Sequence, residues 1–205
     1  MPNRRVAFLL VLSTWVAAAP LGATVAFSNL VGNCCGGYLI GGTPGPETFA
    51  AAFTPGANFL MTEAEVEVFS DVGFGDGFFN ISLDADGGNF PAGLIGMLGV
   101  DLHAPLFGGI VTASGPAEQL KAGVQYWLVL SPFDNNSWVG WEMGGSSYVP
   151  SNSLAAPGTW FPFGTSTNVQ FQIESTPEPA SWALAAAALM LILIVRIGCV
   201  RSNQH

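Results

Sequence analysis

The chain has 205 residues, half of them hydrophobic and only 9% charged, with a formal net charge of −9. That length suits one domain with a sizeable core plus short terminal segments. Over residues 27–176, Lys121 is the single basic residue against thirteen acidic ones, a net of −12. Such a surface repels nucleic acid and anionic membrane, which argues against a nucleic-acid partner; solubility is its plain use and calcium binding the other.

In chain order, Arg4 and Arg5 form a short basic region, residues 6–19 an apolar stretch, and small residues follow. This is the pattern of a secretory signal peptide over residues 1–26, used by the Sec translocon and signal peptidase. Cleavage is expected after Ala26, with Ala23 as the second choice, because a cut after Ala19 would leave Pro20 at the new terminus. An uncleaved N-terminal anchor is the alternative. Residues 27–47 are expected to form an N-terminal loop segment. Cys34 and Cys35 are adjacent there, which leaves a vicinal disulfide, bridges to another chain, or two free thiols. Two neighbouring thiols are too few for a zinc site.

Residues 48–174 read as all-β, because glycine and proline recur at short intervals and no amphipathic helix of three turns is visible. The clearest strand is 63–68, where Ala64, Val66 and Val68 alternate with Glu63, Glu65 and Glu67, placing the carboxylates on the solvent face. Phe79, Ile81 and Leu83 alternate in 78–84. Residues 125–131 form a nearly continuous apolar run, as expected of a strand buried on both faces. Val169, Phe171 and Ile173 oppose Gln170, Gln172 and Glu174 in a closing strand. Weaker strands are expected at 49–53, 94–102, 109–113 and 138–143. About eight short strands at this spacing suggest a two-sheet antiparallel sandwich with jelly-roll-like topology.

Candidate chemistry in this domain is sparse. His103 is its single histidine, and no Gly-x-Ser-x-Gly elbow surrounds any serine, so a hydrolytic triad has little to build on. Glu63, Glu65 and Glu67 share a strand face at roughly 7 Å intervals; a solvated face explains them better than paired catalytic carboxylates. Asp84-Ala85-Asp86-Gly87-Gly88 places two carboxylates at i and i+2 beside glycines, a weak calcium candidate, but Ile95 stands where an EF-hand needs glutamate. A hairpin turn accounts for the same residues. Trp138, Tyr148 and Trp160 lie in glycine- and serine-rich stretches and are candidate sugar-stacking platforms, whereas Trp127 and Trp141 belong to core strands.

The tail carries the densest signal. Residues 180–195 bear no formal charge, and as a helix they would span roughly 24 Å, slightly short of a hydrocarbon core of about 30 Å. With Arg196 snorkelling, a transmembrane helix over about 180–200 is expected, Trp182 at the outer interface and Arg196 and Arg201 on the cytoplasmic side. Thr176 and Glu178 each precede a proline and are biased to extended geometry, so Pro177-Glu178-Pro179 is an accessible stretch just outside the membrane. An ordinary anchor with a proline linker is the bland alternative.

Pro177-Glu178-Pro179-Ala180-Ser181-Trp182-Ala183-Leu184, then an apolar run and arginine, resembles the PEP-CTERM sorting signal of exported bacterial proteins. That resemblance, over residues 175–205, implies recognition by an exosortase, a membrane-embedded transpeptidase-like enzyme. Its substrates are surface or exopolysaccharide-matrix proteins of biofilm-forming Gram-negative bacteria. The usual arginine cluster is here split into Arg196 and Arg201. A second likeness runs through Phe49…Phe53-Thr54, the Phe79–Gly88 segment, Pro91-Ala92-Gly93, Leu120-Lys121-Ala122-Gly123 with Tyr126-Trp127, and Trp138…Trp141. This order is similar to the choice-of-anchor extracellular domains, which implies a β-sandwich and no catalytic residues. The expectation is therefore a non-enzymatic surface or matrix protein without a required cofactor, sorted and cleaved at its C-terminal signal. A lectin-like module binding exopolysaccharide is the alternative.

Overall fold

The structure, a computed structural model, describes residues 24–31, 36–41, 48–71, 73, 75–147, 149–155, 159–167 and 169–175. All belong to one compact unit, Thr24–Thr176. The strands in chain order are β1 (Thr24–Ser28), β2 (Gly37–Gly41), β3 (Thr48–Phe53), β4 (Phe59–Phe69), β5 (Phe78–Asp86), β6 (Pro91–His103), β7 (Gly109–Leu120), β8 (Tyr126–Pro132), β9 (Trp138–Glu142), β10 (Val149–Ala155), β11 (Thr159–Thr167) and β12 (Phe171–Ser175). They pair into two antiparallel sheets. One runs β1-β12-β4-β9-β2 with β7 also paired to β4; the other runs β11-β10-β3-β8-β5-β6. Val66, Val68, Trp141 and Phe171 of the first share a single buried cluster with Phe49, Phe79, Ile81 and Leu128 of the second. The two inner faces thus enclose one core, an arrangement consistent with a sandwich.

The sequence pattern explains most of these strands. On β4, Ala64, Val66 and Val68 are fully buried, and on β5 the same holds for Phe79, Ile81 and Leu83. The continuous apolar run becomes β8, which lies between β3 and β5. Tyr126, Leu128 and Leu130 enter the main core, while Trp127 and Val129 pack with Ala50 and Ala52 of β3 on the other face. Both faces of β8 are covered, as a run without polar alternation requires. The aromatic core is layered: Phe27 stacks on Phe171 at 4.8 Å, and Trp141 meets both Phe49 and Phe171 edge-on at 6.0 Å. Each such buried side chain contributes about 1.5–3 kcal/mol.

Four strands were not expected. The 27–47 segment, read as a loop, contains the end of β1 and the whole of β2, and β10 and β11 lie beyond β9. β1 pairs with β12 at the other end of the domain, Thr24 opposite Ser175, a partnership with no local signature. β10 and β11 carry Pro150 and Pro162 among serines and threonines; β11 is an edge strand, where proline is tolerated. Because β1 begins at Thr24 and both Ala26 and Phe27 pack against the core, a cut after Ala26 would remove three of its five residues, whereas a cut after Ala23 leaves it whole.

β4 organises the first sheet. β7 covers one edge of it from Phe59 to Val68; on the other edge β12 pairs with Glu63–Val66 and β9 with Val68 and Phe69. β9 and β12 therefore lie end to end, and the handover falls at Glu67. Two buried amides close the gap. The Gln170 N–H donates to the Glu142 carbonyl (3.0 Å), and the Gln170 carbonyl accepts from Glu67 N–H (3.2 Å) and from the Trp141 indole (2.9 Å). Its side chain donates to the Met143 carbonyl and accepts from Val31 N–H. Asn29, fully buried just after β1, donates through Nδ2 to the Val169 carbonyl (2.7 Å) and accepts at Oδ1 from Phe171 N–H (2.9 Å).

Truncating Asn29 would strand those two buried backbone groups, at about 1–3 kcal/mol each. Asn29→Ala is expected to destabilise the domain by about 2–4 kcal/mol, read as a lower urea midpoint at unchanged m-value. Wild-type stability would show that the amide does not hold the β9–β12 junction.

Candidate functional site

Several sequence-predicted residues lie outside the described residues: the signal peptide up to Ala23, Cys34, Cys35, Tyr148, the transmembrane segment, and the sorting residues Pro177, Glu178, Pro179, Trp182, Arg196 and Arg201. His103 ends β6 on the surface, its ring edge-on to Phe78 at 4.8 Å. Trp127 and Trp141 are fully buried. The two candidate tryptophans separate. Trp160, at the start of β11, is half-buried against Ala50, Ala52, Trp127 and Val129, so its ring is used in packing.

Trp138 opens β9 on the outer face of the first sheet and lines a small cleft of about 60 Å³ with Leu39, Phe69, Ser70, Asp71, Val139 and Gly140. Glycine makes this cleft possible. The Phe69 ring lies flat over β9 and β2; a Cβ on Gly140 would collide with that ring, and one on Gly37 would come within 2.8 Å of it. Ser70, buried just past the end of β4, donates to the Ala104 carbonyl (2.9 Å) and holds the turn after β6 beside the cleft. Leu39 and the turn residues Leu106 and Phe107 are exposed, Phe107 by 86%. The result is an aromatic and aliphatic surface with one carboxylate, Asp71, at its rim. No signal short of the β2–β4–β9 pairing could have joined Leu39 and Phe69 to Trp138.

The Asp84–Gly88 segment is the end of β5 and the hairpin turn into β6. Asp86 Oδ1 accepts from the Trp127 indole (2.8 Å), Asn89 N–H (3.0 Å) and Gln125 Nε2 (3.0 Å), and Oδ2 accepts from Gly88 N–H (3.2 Å). Burial alone would raise the Asp86 pKa, but these four donors outweigh it and hold the carboxyl below its ordinary value. Asp84 accepts from the Ser82 hydroxyl (2.9 Å), and burial nonetheless raises its pKa. The lone pairs of Asp86 are thereby committed to closing the turn and tethering Trp127. Among the described residues no three His, Cys, Asp or Glu side chains converge.

The outer face of the first sheet is acidic. Glu63 and Glu65 accept from Ser114 and Thr112 of β7, and Gln172 of β12 donates to Glu65 and Glu174. Burial raises the Glu65 pKa, and the Glu174 and Glu63 carboxylates add to it, against the Thr112 hydrogen bond. Glu67 departs from the expected solvent face: it is 6% exposed, and Glu142 of β9, facing it across the strand pair, is 7% exposed. Burial and then the Glu67 carboxylate push the Glu142 pKa up, against a hydrogen bond from Gly36 N–H. The alternation placed Glu67 on the correct face of β4; it could not show that the turn at Gly108 and the start of β2 approach that end of the face.

Removing the Asp86 carboxylate would strand the buried Trp127 indole N–H. Asp86→Ala is expected to cost about 1–3 kcal/mol at pH 7. Because the folded pKa of Asp86 is depressed, its stabilisation is present above the unfolded value near pH 4 and is lost as the pH falls through the folded value. The gap between mutant and wild type, measured by urea unfolding, should therefore narrow below about pH 4. Equal stabilities at pH 7 would contradict the tether.

No protein-family model matches the chain and no curated protein matches it, so its functional reading rests on its own residues.

Proposed function

We propose that the chain is an exported bacterial surface or exopolysaccharide-matrix protein without enzymatic activity. It passes the Sec translocon, loses its signal peptide, is held in the membrane by its C-terminal helix and is cleaved by an exosortase at Pro177-Glu178-Pro179. The observation that carries this reading is the order Pro-Glu-Pro, Trp182, uncharged apolar run and Arg196 within the last 29 residues. The domain boundaries support it. The unit Thr24–Thr176 stops where the sorting signal begins, so a cut after Ala23 and a cut near Pro177 would trim both ends without taking a strand. The strand order supports a jelly roll over β2–β9, in which β2-β9-β4-β7 faces β3-β8-β5-β6.

Following the chain by intact mass in its host and in an exosortase-deletion strain tests this reading. The tail should be absent from the mature protein in the first and retained in the second; loss of the tail in both would overturn it.

A second reading, a lectin-like module for the exopolysaccharide, is favoured by one observation: Trp138, Phe69 and Leu39 share a surface cleft with Asp71. A planar ring beside a carboxylate suits a sugar's apolar face and hydroxyls. On a glycan array Trp138→Ala should weaken binding about tenfold, the equivalent of about 1.4 kcal/mol, while Trp160→Ala should not. A wild-type protein that binds no glycan removes this second reading and leaves the first intact.

A further inference from the structure

The geometry points to a binding site for a single uncharged sugar ring in a second cleft, where the edge strand β1 of the first sheet meets the ends of β3, β8 and β10 in the other. This cleft measures about 250 Å³, against about 60 Å³ beside Trp138, and the two share no lining residue. β1 contributes Phe27, the end of β3 Phe53 and Thr54, the approach to β8 Gln125, and the start of β10 Val149 and Pro150. The inference rests on the sugar-binding reading, for which it names a second surface and the class of sugar, and is independent of the sorting reading.

The inner wall of the cleft is aromatic. Phe27 is half-buried and lies with one face on Phe171, at 4.8 Å and 23° between planes. Phe53 stands 6.0 Å from both Phe27 and Tyr126 and 6.1 Å from Phe171. Because these rings are packed into the core, the wall is formed before a ligand arrives. The rim carries two neutral polar side chains. Thr54, exposed just past β3, offers a hydroxyl. Gln125 donates one amide hydrogen to Asp86 Oδ1 (3.0 Å), which orients the amide and leaves its second hydrogen and its carbonyl oxygen to a ligand.

The chemistry of the occupant follows from this lining. None of its described residues is charged, and Asp86 is spent on Trp127, Gln125 and the hairpin turn. The net charge of −12 over residues 27–176 repels an anionic sugar, and a cationic one finds no carboxylate in the cleft to pair with. A pyranose without ionised groups has a C–H face for the aromatic wall and hydroxyls at its edge for Thr54 and Gln125. A hydrocarbon chain would use the wall and leave both polar groups idle. The volume falls below the roughly 300–1,000 Å³ of drug-sized pockets, which limits the occupant to about one ring.

The test uses the full-length chain in phosphatidylcholine nanodiscs, a carrier without sugar headgroups. Saturation-transfer NMR is run with the methyl glycosides of glucose, galactose, mannose and N-acetylglucosamine. At least one should bind with a Kd on the order of 10⁻³ M, and methyl glucuronide, the anionic counterpart, should bind more weakly. Thr54→Val and Gln125→Ala should each weaken binding about three- to tenfold, the size of one lost hydrogen bond. Both positions are exposed or half-exposed, so the fold tolerates the change. Thr112→Val, a like substitution on the outer face of the first sheet, should leave binding unchanged. Glycoside binding that survives Thr54→Val and Gln125→Ala but falls in Trp138→Ala would overturn this site and leave the sugar-binding reading standing at the Trp138 cleft. A preference for the glucuronide would overturn the uncharged class, and no binding of any glycoside would overturn the site and the sugar-binding reading together.

Discussion

The first sheet depends on how one edge of β4 is divided between two partners. A strand of eleven residues needs its backbone groups satisfied along both edges. β7 does this alone on one side, while on the other β9 and β12 meet end to end at Glu67. Two strands that abut splay apart and would leave buried carbonyls and N–H groups facing each other unpaired. Gln170 and Asn29 fill that gap with side-chain amides, each offering a donor and an acceptor in one plane, the same pair that a peptide group offers. The match explains why the junction contains amides rather than hydroxyls or carboxylates.

The same junction sets the character of the outer face. Where β9 leaves β4, Glu67 and Glu142 are both buried, Glu142 against Gly108 and within reach of the Gly36 N–H. Farther along β4, Glu63 and Glu65 remain half-exposed and are paired with hydroxyls and an amide of neighbouring strands. One row of glutamates at identical spacing thus contains two electrostatic environments, decided by what lies over each end of the sheet. Beyond Glu142, the glycines of β2 and β9 leave room for the Phe69 ring and the face turns apolar, which creates the cleft beside Trp138.

Legibility in the sequence followed the range of the interaction. β4, β5, β8 and β12 were visible because one-sided or two-sided burial writes itself into consecutive side chains. β1 and β2 were hidden: one is a short segment after a signal-peptide pattern, the other a short run bounded by glycines, and both exist through partners far away in the chain, Thr24 opposite Ser175 and Gly37 opposite Glu142. β10 and β11 were hidden by proline and hydroxyl residues, tolerated at the edge position of β11 and at the register shift around Pro150 that opens β10. Among the aromatics, Trp127 and Trp141 could be assigned to the core from their place in apolar strands. Trp138 and Trp160 looked alike, and they were separated only by the packing of β11 onto β3 and β8 and by the opening of β9 onto the glycines of β2.

By itself the sequence determined the all-β class, the inward face of the main strands, the acidity of the domain and the order of its terminal signals, because each is written in neighbouring residues as period, charge or motif. Tertiary structure alone decided that the domain begins at Thr24, that Asn29 and Gln170 are interior groups, that Asp86 is spent on Trp127, and that Glu67 and Glu142 share a dry site. Each of those depends on residues far apart in the chain meeting at one edge of a sheet, and burial at such a meeting is a property of the assembled neighbours rather than of any local pattern.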